Sequence, residues 1–130
     1  MTYEWRQHTA EVELAVTAKT AEEIFQDAAD AFGRYVELEA DGEPTTHRVE
    51  VTGRDNGTLL VGLLEELIYL ADTEGFVPDD STVELVGNHL SIALEGRKTI
   101  VQPIVKAATY HNLAFEESGG AWQARVVLDV

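Results

Sequence analysis

The chain contains no cysteine in its 130 residues. That absence excludes disulfide staples, thiolate nucleophiles, cysteine-held zinc and iron–sulfur clusters, and it suits a reducing cytoplasm. Proline is scarce, at three residues, and no apolar run reaches the roughly 18 residues of a membrane-spanning helix. The opening Met1-Thr2-Tyr3-Glu4-Trp5 lacks a basic stretch leading into an apolar one, so nothing in it directs export. Cations are few as well: nine Lys and Arg stand against twenty-four Asp and Glu, a formal net charge of -15. A surface of that sign repels phosphate backbones, which argues against direct nucleic-acid binding and favours a basic protein partner or an acidic surface suited to high salt.

What the sequence does have is enough apolar material for one folded domain: 45% of residues are hydrophobic and 25% charged. From His8 to Val16, Ala10, Val12, Leu14 and Val16 alternate with other residues, which predicts a half-buried strand with Glu11 and Glu13 turned away from the core. Thr20 followed by Glu23 is a capping box, and Ile24, Ala28, Ala31, Phe32 and Tyr35 mark one apolar face of a helix over 21–35. Gly42 and Pro44 read as a loop before a short strand at 47–51. A second helix carries Leu59, Leu60, Leu63, Leu64, Leu67, Ile68 and Ala71, with Glu65 and Glu66 on its polar side and Gly75 as its left-handed cap. Strands at 83–86 and 90–94 flank a Gly87-Asn88 turn, and a last pair spans roughly 104–115 and 122–130. The order implies a single α+β domain over residues 1–130, with two helices packed on a mainly antiparallel sheet.

No nucleophile elbow, His-Glu-Xaa-Xaa-His motif, phosphate-binding loop or dinucleotide fingerprint is present. Strand parity offers a different kind of site. Trp122, Ala124, Val126, Leu128 and Val130 share one face of the final strand, so Asp129 points to the other, as Glu11 does on the first strand. If those strands are neighbours, Glu11, Asp129 and the terminal carboxylate of Val130 converge as oxygen donors for a hard cation such as calcium or magnesium. His8 on the same strand as Glu11 reads as a packing residue. Lys106 reads as a charge that guards a strand edge or as a contact for a partner, with Lys106, Ala108 and Tyr110 on one face.

Three separated segments resemble the archease family: His8-Thr9-Ala10-Glu11-Val12, Val105-Lys106-Ala107-Ala108-Thr109-Tyr110-His111, and the ending Ala124-Arg125-Val126-Val127-Leu128-Asp129-Val130. They correspond to that family's His-Thr-Ala-Asp-Val start, its Val-Lys-Ala-Xaa-Thr-Tyr-His strand and its hydrophobic-Asp-hydrophobic close. The resemblance implies an archease-like fold and a non-enzymatic cytoplasmic protein that assists an RtcB-type RNA ligase in tRNA splicing or RNA repair by promoting its guanylylation and turnover. It implies divalent-metal ligands at Glu11, Asp129 and Val130, with calcium foremost, and activating or partner-contacting roles for Lys106 and His8. Glu11 replaces the family's aspartate, and Gln7 and Ile104 stand where acidic residues are frequent. The competing readings are a metal-dependent hydrolase using the same carboxylates and a diverged paralogue acting as a general chaperone.

Overall fold

A computed structural model describes residues 2–8, 10–39 and 41–130, leaving aside the side chains of Gln7 and His8. Its elements in chain order are β1 (Tyr3–His8), β2 (Glu11–Ala18), α1 (Ala21–Val36), β3 (Glu43–Thr52), α2 (Asn56–Glu74), β4 (Phe76–Val86), β5 (His89–Lys98), β6 (Ala107–Ser118) and β7 (Ala121–Asp129).

Local chemistry sets both helices where the sequence places them. Thr20 Oγ1 accepts the Glu23 N–H at 3.2 Å, and Asp55 Oδ1 accepts the Thr58 N–H at 2.8 Å and its hydroxyl at 2.9 Å. Those bonds satisfy orphan donors at each helix start, and the Thr58 N–H, followed by its hydroxyl, holds the Asp55 carboxyl below its ordinary pKa. Gly75 ends α2 at φ 66°, with its N–H on the Ala71 carbonyl at 3.0 Å. A Cβ at Gly75 would lie 2.5 Å from the Thr99 carbonyl oxygen, so both the left-handed turn and the close approach require glycine.

The strands form two sheets rather than the one expected: a four-stranded sheet in the order β1-β2-β7-β6 and a three-stranded sheet in the order β3-β5-β4, with every pair antiparallel. Each helix packs on strands of both sheets. A helix covered on two sides needs apolar residues over most of its circumference, which accounts for the leucine content of α2: Leu59, Leu60, Leu63, Leu64 and Leu67 are all buried. They join Val12, Leu14, Val126 and Leu128 from one sheet and Leu90, Ile92 and Leu94 from the other in one core.

Three expectations need correction. The strand read from His8 onward is the second arm of a hairpin. Tyr3 and Trp5 already alternate with Glu4 and Arg6 to form β1, and the chain reverses through Ala10 at φ 59° before β2 begins at Glu11. Thr9, within that reversal, lies outside the described residues. The reversal carries no glycine, proline or asparagine, so the usual turn signal is missing. Pro44 lies inside β3 rather than in a loop, which is tolerated because β3 is an edge strand. Finally, β4 starts at Phe76, directly after the helix cap, instead of near Val83.

Candidate functional site

The strands expected to be neighbours are neighbours. In the β2–β7 ladder Glu11 stands opposite Asp129, and in the β6–β7 ladder Ala107 stands opposite the same Asp129. Val12, Leu128 and Ala108, one step along each strand, are buried, so Glu11 and Asp129 lie on the face turned away from the helices. Main-chain bonds draw the flanking segments to the same end of the sheet. The Lys106 N–H donates to the Asp129 carbonyl at 2.8 Å, and the Val130 N–H donates to the Ala10 carbonyl at 3.2 Å.

His8 belongs to β1 and not to the strand of Glu11; its backbone stands in register opposite Glu11, and its side chain lies outside the described residues. Lys106 precedes β6, and its side chain is exposed. The expected shared face of Lys106, Ala108 and Tyr110 is not formed. Ala108 is buried while Tyr110 is 60% exposed, and the β6–β7 register slips between Thr109 and Ala114. Asn112, at φ 55°, lies within the slip, and Leu113 leans on the first turn of α2 where Gly57 leaves room, 3.0 Å from where a Cβ would be.

Two residues matter more to this end of the sheet than their sequence context announces. Glu65 on α2 accepts the Ala108 N–H at 3.0 Å through Oε1. Since β6 is an edge strand, that N–H points away from the ladder, and a helix carboxylate covers it with a charge-assisted bond. The only sequence signal is the place of Glu65 on the polar side of an otherwise apolar helix. Glu13 faces away from the core as its parity predicts, yet it is 9% exposed and accepts from Arg6 Nη1 at 3.2 Å. Strand parity fixes its side of the sheet; the arginine that covers it comes from β1, the strand the pattern misses.

Among the described residues no three His, Asp or Glu side chains form a group able to hold a metal ion. A site on Glu11 and Asp129 therefore needs a further oxygen donor. Glu11 and Asp129 supply carboxylate oxygens, the hard donors that suit calcium or magnesium. Among the described residues no helix is long and apolar enough to cross a membrane.

Comparison with known proteins extends this picture across the chain. The model of the Archease protein family (MTH1598/TM1083) matches residues 3–130. Protein archease of Methanosarcina mazei is 33% identical, with 98% of this chain and 95% of that protein covered. The solution structure of Methanobacterium thermoautotrophicum protein 1598 superposes with a TM-score of 0.76 at 26% identity, covering 98% of each chain. The crystal structure of a Thermotoga maritima archease, described as a possible chaperone, superposes with a TM-score of 0.68 at 21% identity, covering 95% of this chain and 94% of that one.

Proposed function

Because the chain belongs to the Archease protein family, we propose that it acts in the cytoplasm as an activating chaperone of an RtcB-type RNA ligase. In that role it promotes guanylylation and turnover of the ligase in tRNA splicing or RNA repair, without itself catalysing a step or binding RNA. A divalent cation, calcium foremost, is held by Glu11 and Asp129 with the Val130 carboxylate, and Lys106 and His8 meet the client.

The observation that supports this reading most strongly is the meeting of three segments distant in sequence. Ala10, Lys106, Asp129 and Val130 are joined by two main-chain hydrogen bonds at one sheet end, and Glu11 stands across from Asp129. An end where two carboxylates stand across a strand pair, with the exposed Lys106 tied to it through the backbone, offers ligands for a cation and a contact for an anionic group on a client. The net charge of -15 favours rapid encounter with a basic, RNA-binding protein surface.

The test is guanylylation of the ligase from the same organism, with parent and Lys106→Ala proteins. The expected result is acceleration by the parent and loss of most of it in the variant, with the unfolding free energies of the two within about 0.5 kcal/mol. Equal acceleration by both proteins removes Lys106 from the mechanism. A parent protein that leaves guanylylation unchanged overturns the activator reading.

A further inference from the structure

Among the described residues five large apolar side chains are mostly exposed: Leu38, Tyr69, Val86, Ile100 and Tyr110. Two of these are brought together by the fold. The chain leaving α1 pairs with the connection between β5 and β6 through an antiparallel bridge of Glu37 with Val101. Its bonds run from the Leu38 N–H to the Ile100 carbonyl at 3.3 Å and from the Gln102 N–H to the Val36 carbonyl at 2.7 Å. Leu38 and Ile100 are thus opposed in a short ladder, 56% and 58% exposed.

The ladder is anchored firmly. Arg97 Nη2 donates to Glu37 Oε2 at 2.6 Å, Nη1 donates to the Glu39 carbonyl at 3.0 Å, and Nε and Nη2 together hold Asp79 at 2.9 and 3.0 Å. Isolated apolar residues on a surface need no explanation, but an opposed aliphatic pair held in place by a mostly buried arginine is pre-organised for contact. Beside the pair lies an open depression of about 420 Å³ whose lining includes Ile100, Glu39, Asp41 and Glu74, with Lys98 the one cation in it.

We propose that Leu38 and Ile100 form the centre of a docking surface for a segment of the client protein that carries an aliphatic side chain flanked by lysine or arginine. The aliphatic side chain covers the apolar pair, and the flanking cations meet the carboxylates of Glu39, Asp41 and Glu74, which outnumber the single ammonium. This rests on the activator reading, with the client being the ligase named there; the surface holds the client while the sheet end bearing Lys106 acts on it.

The test measures binding of the purified ligase to the parent, to the double variant Leu38→Ser/Ile100→Ser and to Glu39→Lys, alongside thermal unfolding and guanylylation. The expected result is at least tenfold weaker binding by the double variant, with guanylylation restored at high concentration. The same experiment expects weaker binding by Glu39→Lys together with a shallower salt dependence. Parent-like affinity in the double variant overturns the docking surface while leaving the activator reading intact. If the double variant does not fold, Glu39→Lys decides, because that side chain is exposed; parent-like affinity and salt dependence then overturn the surface. A parent protein that neither binds the ligase nor stimulates it overturns the activator reading and the surface with it.

Discussion

The two sheets of this molecule share one core and differ in regularity. In the three-stranded sheet β3 pairs with β5 without a break from Glu43 opposite Lys98 to Thr52 opposite His89, β4 departs from its register with β5 by a single extra residue between Pro78 and Asp80, and the β4–β5 turn uses a glycine, Gly87 at φ 60°, for its left-handed residue. In the four-stranded sheet the β6–β7 register slips between Thr109 and Ala114, and the only left-handed non-glycine residues among those described, Ala10 and Asn112, lie in its hairpin turn and in that slip. The sheet with the larger departure, three extra residues in β6 against one in β4, is also the one that carries Glu11 and Asp129. A strand that serves only packing is free to follow the alternation of its sequence, whereas departures from local preference need compensation elsewhere and concentrate where a particular arrangement of groups is required.

The largest effect expected from a single change comes where the sheets share a support. Leu63 on α2 is fully buried in the common core, so Leu63→Ala is expected to cost about 2–5 kcal/mol. Urea unfolding followed by probes in each sheet should show both melting together; separate transitions would mean that the sheets do not depend on one core.

Arg97→Ala should fall next, at about 1–3 kcal/mol, because it strips hydrogen-bonded partners from Glu37 and Asp79. The bonds to Asp79 raise the pKa of this guanidinium further, burial opposing and Glu37 adding to the rise, so the arginine stays charged throughout the pH range in which the protein folds. Hydrogen exchange should speed up around 37–39 and 79–80 while the Asp129 end of β7 stays protected. Equal acceleration in both sheets would contradict their independence at this level.

The smallest of the three sharpens the contrast directly. Ala10→Gly removes the Cβ from a left-handed residue and is expected to stabilise the protein by about 1 kcal/mol, offset in part by the added freedom of the unfolded chain. The β4–β5 hairpin offers no matching gain, because Gly87 already occupies its left-handed position. A destabilised Ala10→Gly protein would show that the turn carries no strain.

This contrast explains what could be read from the sequence. The start of the first helix follows from its cap Thr20 and the end of the second from Gly75, both acting through bonds within a few residues, and the β4–β5 hairpin follows from Gly87 and Asn88, whereas the cap of α2, Asp55, is found only in the structure. The opposition of Glu11 and Asp129 needs only strand parity plus the assumption that the first and last strands are adjacent. Hidden from the pattern are β1, whose turn has no glycine, and the slip in β6, which parity cannot anticipate because three extra residues alter the faces beyond it. The division of the strands into two sheets is equally hidden, since it depends on how α2 is sandwiched rather than on any one strand's pattern.

The central proposal for the four-stranded sheet is that the end where Glu11 stands across from Asp129 is a ligand site built on those two carboxylates. Calorimetric titration of calcium, and then magnesium, into the parent and the Asp129→Ala protein tests it, with thermal unfolding as the check on the fold. Stoichiometric binding by the parent, at least tenfold weaker binding by the variant and closely matching unfolding midpoints are expected. Equal affinity in the two proteins, or no binding by the parent, would contradict it.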